Sequence, residues 1–114
     1  NLACVNLFPK MKISQMAKLL AHSVGVVGVD TGFCHLAAAL DKPTISMFGP
    51  TDPIKTAPLG NNQICLSSKF ECAPCLQKKC SFAESSAKNN IFPPCFTEIN
   101  PDKVITNLKQ FGFL

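Results

Sequence analysis

The sequence predicts an α/β fold built on a parallel sheet, and three observations predict it. Residues 24–29 and 44–48 are short runs, largely β-branched and apolar on both faces, as strands of a covered parallel sheet are. The alanine-rich residues 33–40 lie between them and suit a crossover helix. Each run ends in a glycine-bearing loop, Asp30-Thr31-Gly32 after the first and Gly49-Pro50-Thr51-Asp52-Pro53 after the second. Strand–helix–strand alternation gives right-handed crossovers between parallel strands. Ligands in such sheets bind beyond the carboxyl ends of the strands, so both loops are expected at one binding edge.

The elements follow in order. Residues 2–7 form an apolar run read as a strand, ended by Phe8-Pro9. Ser14 offers a hydroxyl to an unpaired backbone N–H and is the expected N-cap of the next helix. Met16, Leu19 and Leu20 give that helix its apolar face, and it should end near His22-Ser23. Strand 24–29, helix 33–40 and strand 44–48 come next, the helix stopped by Asp41-Lys42-Pro43. Residues 51–62, rich in Pro, Gly, Asn and Thr, read as loop, and 63–66 as one more short strand. Residues 67–95 show little periodicity and carry a cluster of cysteines. Asn100-Pro101 then pairs a capping side chain with the residue best suited to a first helical position. Val104, Ile105, Leu108 and Phe111 supply the apolar stripe of a last helix, about 101–111.

Composition narrows the function classes. At 114 residues the chain allows one small domain, and 46% apolar residues allow it a core. No apolar run reaches the roughly 18 residues that span a bilayer. The net charge is +4, yet every cation outside histidine is lysine and there is no arginine. A surface dedicated to nucleic acid normally exploits the bidentate guanidinium, so no nucleic-acid partner is expected. A mild basic excess suits anionic small ligands or an acidic membrane surface.

The chemistry concentrates at Asp30-Thr31-Gly32-Phe33-Cys34-His35. A helix starting directly after a strand points its free N–H groups at the binding edge and so favours a phosphate. Thr31 adds a hydroxyl, Gly32 lets a ligand come close, Asp30 can accept from sugar hydroxyls, and His35 can face the same loop. The plainer alternative is that Asp30 or Thr31 only caps the helix and His35 bonds a backbone carbonyl.

The run Val27-Gly28-Val29-Asp30-Thr31-Gly32, then His35-Leu36-Ala37-Ala38-Ala39-Leu40, Pro43, and Phe48-Gly49-Pro50-Thr51-Asp52-Pro53 resembles glycosyltransferase family 9, the ADP-heptose:lipopolysaccharide heptosyltransferases. Pro9-Lys10-Met11 is similar to the type I branch. The resemblance implies a Rossmann-like sheet, with residues 1–114 the C-terminal, nucleotide-sugar-binding part of a two-domain GT-B enzyme. It implies donor contacts at Asp30, Thr31, Gly32 and His35, with Met11 near the base and Lys10 near the donor. It further implies metal-independent, inverting transfer of heptose from ADP-L-glycero-D-manno-heptose to the Kdo-lipid A inner core, without a cofactor. The setting would be cytoplasmic, peripheral on the cytoplasmic face of the inner membrane of a Gram-negative bacterium. The family's catalytic aspartate, phosphate-binding lysine and ribose-binding carboxylate would precede residue 1, so the fragment alone is expected to be inactive.

Seven cysteines remain to be read. Cys4 and Cys34 sit in apolar segments and read as core residues. Cys72-Ala73-Pro74-Cys75, followed by Cys80 and Cys95, has ligand-like spacing, although the full two-pair knuckle is absent. Unpaired thiols, a structural metal and a disulfide all stay open for loop 67–95, with unpaired thiols favoured. This loop is similar to the type II branch of the family, so it pulls against the type I features upstream on the identity of the acceptor. A non-catalytic nucleotide-binding or zinc-bearing interaction module is the alternative to an enzyme. A redox role for Cys72 and Cys75 is disfavoured, because redox pairs open a helix rather than sit in a polar loop.

Overall fold

A computed structural model describes residues 3–7, 11–86 and 90–113. The elements are α1 (Ile13–His22), β1 (Val26–Val29), α2 (Gly32–Ala39), β2 (Thr44–Phe48), α3 (Pro53–Thr56), β3 (Gln63–Ser67), two 3-10 turns (Glu84–Ser86 and Pro94–Glu98) and α4 (Pro101–Gln110). The strands form one sheet in the order β1-β2-β3. Both pairings are parallel, with Val26 opposite Thr44 and Thr44 opposite Gln63. The parallel α/β reading therefore holds, and the carboxyl ends of all three strands share one edge.

The central strand forms the heart of the core. Thr44, Ile45, Ser46 and Phe48 are each at most 1% exposed. The edge strand β1 departs from the expectation of a strand covered on both faces: Val27 and Val29 are each 42% exposed. Its composition suits the middle of a sheet, but among the described residues it has a neighbour on one side only. On its other face α2 buries Cys34, Ala37 and Ala38. A Cβ at Gly28 would lie 2.7 Å from Cys34 Sγ, so glycine is what lets α2 approach this closely. Cys34 is the core residue expected, and its thiol donates to the Val29 carbonyl at 3.1 Å.

Several boundaries differ from expectation. Lys12, not Ser14, is the N-cap of α1, and its N–H donates to Gln15 Oε1 at 2.8 Å. Gln15 at the third helical position can reach back to that N–H, a job the shorter Ser14 inside the helix cannot do. Residues 3–7 form no strand, and Val5 is 73% exposed. A strand needs a hydrogen-bonding neighbour, and among the described residues none pairs with this run. Cys4 is accordingly exposed rather than in the core. The expected loop at Phe8-Pro9 lies outside the described residues. Residues 51–62 contain α3, a helical turn begun by Asp52, whose Oδ1 accepts from the Ile54 N–H at 3.0 Å, with Pro53 at the first position.

The second half folds back onto the sheet. Asn100 caps α4 by accepting from the Lys103 N–H at 2.9 Å, and α4 packs against β2. The 3-10 turn at Pro94–Glu98 presses on the loop after β2: a Cβ at Gly49 would stand 2.8 Å from the Phe96 ring and 2.9 Å from Cys95 Sγ. Among the described residues no helix is long and apolar enough to cross a membrane.

Candidate functional site

The loop after β1 meets the loop after β2 at the carboxyl edge of the sheet. The Asp30 N–H donates to the Met47 carbonyl at 3.1 Å, which extends the β1–β2 pairing into the loop. The Asp30 side chain, 13% exposed, is held from two directions. Thr56, at the end of α3, donates its hydroxyl hydrogen to Asp30 Oδ2 at 2.8 Å. His35 brings Nε2 to 4.0 Å from Asp30 Oδ1, with its own side chain 48% exposed. That separation is beyond a direct hydrogen bond, leaving room for a bridging group.

Thr31 occupies the N-cap of α2, but its hydroxyl makes no capping hydrogen bond. The carboxylate of Asp30 is engaged by Thr56 rather than by the helix. The plain capping alternative is therefore not what the geometry shows. The Cys34 N–H donates to the Thr31 carbonyl at 3.1 Å, while helix geometry leaves the N–H groups of Gly32 and Phe33 without an intrahelical acceptor. Their dipoles and that of α2 favour an anion at this position.

Beside this N-terminus lies an apolar depression of about 490 Å³, lined by Ile13, Thr31, Gly32, Phe33 and Leu36. A Cβ at Gly32 would meet nothing within 4 Å. Gly32 is therefore required neither by a left-handed backbone nor by packing, and what it leaves open is the depression. A smaller hollow of about 150 Å³ is lined by Asp30 itself, together with Val29, Met47, Gly49, Pro50, Thr51 and Phe96. The edge thus presents free amides, a hydroxyl, a carboxylate and an imidazole beside a larger apolar recess and a smaller one. Such a surface can hold a phosphorylated ligand with one flat apolar end.

Of the residues singled out in the sequence, the structure brings Asp30, Thr31, Gly32 and His35 together. Met11 is half-buried before α1 and lines neither hollow. Lys10 lies outside the described residues. Sequence reasoning missed Thr56. The Asp52-Pro53 pair, a capping residue followed by the favoured first helical residue, is the signal that points to the turn carrying it. All seven cysteines are free thiols. Among the described residues no group of three or more His, Cys, Asp or Glu side chains stands ready to hold a metal.

Known proteins are similar to this chain over most of its length. The family model for glycosyltransferase family 9 (heptosyltransferase) matches residues 1–85. The chain is 46% identical over 107 residues to lipopolysaccharide heptosyltransferase 1 of Pseudomonas aeruginosa, a match covering 89% of this chain and 30% of the relative. It is 48% identical over 62 residues to the Escherichia coli K12 protein of the same name, covering 54% of this chain and 19% of that one. Lipooligosaccharide heptosyltransferase 2 of Haemophilus ducreyi is 29% identical over 109 residues, covering 94% of this chain and 29% of that one. Among solved structures, an E. coli heptosyltransferase, WaaC with ADP, superposes with a TM-score of 0.64 at 28% identity. That match covers 91% of this chain and 25% of the other. The chain therefore spans less than a third of the length of these relatives.

Proposed function

The chain belongs to glycosyltransferase family 9, and from that premise we propose that it is the C-terminal, donor-binding part of an enzyme that moves heptose from ADP-L-glycero-D-manno-heptose to the Kdo-lipid A inner core of lipopolysaccharide. The observation that carries this reading is the setting of Asp30-Thr31-Gly32. The loop sits at the carboxyl end of β1, on the open N-terminus of α2, beside a recess of about 490 Å³. That volume lies within the roughly 300–1,000 Å³ typical of small-ligand sites. The similar E. coli structure is a heptosyltransferase with ADP, which supports a nucleotide as the ligand class.

Each group has a task that its chemistry suits. The Gly32 and Phe33 amides and the α2 dipole stabilise the diphosphate, whose charge grows as the glycosidic bond to heptose breaks. Thr31 donates to a phosphate or sugar oxygen. Ile13, Phe33 and Leu36 offer an apolar wall to the adenine ring, and Met11 and Lys10, just before Ile13 in sequence, are further donor contacts, Lys10 as a counter-charge. Asp30, oriented by Thr56, accepts from sugar hydroxyls, and His35 reaches the same ligand across the 4.0 Å gap. The base that activates the acceptor hydroxyl comes from the remainder of the full-length protein, as does the acceptor surface at the cytoplasmic face of the inner membrane. Transfer inverts the anomeric centre without a metal. The higher identity to the type 1 relative, 46% against 29% for the type 2 relative over a similar span, favours the type 1 acceptor.

The test is calorimetric titration of ADP into full-length protein carrying Gly32→Leu. A Cβ at Gly32 meets nothing within 4 Å, and the larger side chain extends into the open recess, so folding should be unaffected. A leucine there fills the recess, and ADP affinity should fall about tenfold or more, the equivalent of roughly 1.4 kcal/mol. Unchanged affinity in the folded variant removes the recess from the donor site.

A further inference from the structure

We propose that Cys72, Cys75, Cys80 and Cys95 form a tetrathiolate site for zinc, which fastens the irregular segment after β3 to the ligand-binding edge of the sheet. Three of these residues come from a stretch without helix or strand, and the fourth from the 3-10 turn Pro94–Glu98. Distant in the chain, all four line one cavity of about 100 Å³, closed by Pro50, Pro93 and Pro94. None of the other cysteines belongs to it: Cys4 is exposed, Cys34 is bonded to Val29, and Cys65 lies on β3. Cys72 and Cys75 have the two-residue spacing with which a short turn chelates one ion, and four sulfurs complete a tetrahedron. The thiols stand free rather than paired.

Electrostatics favours a cation here. Four thiolates around one small cavity repel one another and cannot gather without a counter-ion. Zinc reverses the sign of that repulsion. Four thiols bind one Zn²⁺ and release four protons, leaving a unit of charge −2, and Lys78 on the cavity wall partly offsets it. As they stand, the sulfurs ring the cavity without meeting at a ligating point. Zn–S bonds of about 2.3 Å draw them inward. The segment that has to follow is held by few backbone bonds, chiefly Ala73 N–H to the Phe70 carbonyl and Leu76 N–H to the Pro50 carbonyl.

The position gives such a site a purpose. Leu76 N–H donates to the Pro50 carbonyl at 2.8 Å, and Cys95 Sγ lies against Gly49, both in the loop after β2. The Ser68 hydroxyl donates to the Cys95 carbonyl at 2.6 Å, tying the end of β3 to the same turn. Zinc here braces the loop that closes one side of the Asp30 site, whatever ligand that site takes.

The experiment is elemental analysis of full-length protein purified from zinc-supplemented culture, repeated on Cys72→Ser, Cys95→Ser and Cys4→Ser. Near-stoichiometric zinc is expected in the parent and in Cys4→Ser, with a loss of about tenfold or more in the other two. Should Cys95→Ser fail to fold, Cys72→Ser carries the test, since that residue lies in the irregular segment. Cobalt exchanged for zinc should give a sulfur-to-metal charge-transfer band that both ligand variants lose. Three results overturn the proposal: no metal with all four thiols open to alkylation, a pair protected from alkylation until reduced, or zinc retained unchanged in both ligand variants.

Discussion

Thr56 donates its hydroxyl hydrogen to Asp30 Oδ2 at 2.8 Å, linking the helical turn after β2 to the loop after β1. The same hydroxyl also lies 3.2 Å from the Asp52 carbonyl, which fixes it against its own turn. Asp30 is thus set in place before a ligand arrives, and a preset carboxylate loses less entropy on binding than a free one.

Thr56→Val should therefore raise the KM for the sugar nucleotide in the full-length enzyme about tenfold, since a hydrogen bond to a charged group contributes roughly 1.5 kcal/mol. Thr56→Ser should stay near the parent, because it keeps the donor. Thr56 is exposed, so neither change should move the thermal midpoint appreciably. A Thr56→Val enzyme with parental KM would make the contact incidental.

Much of this site is legible in the sequence, for local reasons. A β-branched run broken by Asp30-Thr31-Gly32 and followed by alanines leaves little choice but strand, turn and helix, and the parallel β1–β2 pairing follows from it. The Thr56–Asp30 contact is not legible, because it joins residues 26 positions apart and depends on how two loops pack. Residues 51–62 are dominated by turn formers, which hides the one helical turn that Asp52-Pro53 starts. The edge position of β1 is hidden for the opposite reason: its all-apolar sequence describes a buried strand, and exposure depends on neighbours, not on the strand itself. The gathering of Cys95 with Cys72, Cys75 and Cys80 is half legible, the spacing of the first three being local and the return of the fourth being tertiary.

Ser46 Oγ is buried in the middle of β2 without a hydrogen-bond partner. A buried unpaired hydroxyl costs stability. Ser46→Ala should leave the protein as stable as before or more stable by up to about 1 kcal/mol in urea titration. Clear destabilisation would mean that the hydroxyl has a partner after all.

The thiols of Cys65, Cys72 and Cys95 are all raised, burial being the first cause in each, followed by Asp30 for Cys65 and by neighbouring cysteines for the other two. A raised acid is protonated more readily in the folded state, so its contribution is complete below the unfolded thiol pKa of about 8.5 and is lost as pH rises through the folded value. With chelator present, the urea midpoint of the full-length protein should fall from about pH 8 to 9.5. The fall should be shallower in Cys65→Ala. A flat or rising profile would contradict the burial of these thiols.

Heptose transfer to a Kdo-lipid A acceptor by full-length Asp30→Ala and His35→Ala proteins, with circular dichroism as the folding control, decides whether the loop after β1 holds the donor. Each substitution removes one polar partner of the bound sugar nucleotide, which costs about 1–3 kcal/mol, or roughly ten- to a hundredfold in kcat/KM. The account predicts that loss with the fold unchanged, and a larger loss in Asp30→Ala, because Asp30 is the less exposed and the more firmly held of the two. Parental kcat/KM in both well-folded variants would contradict it.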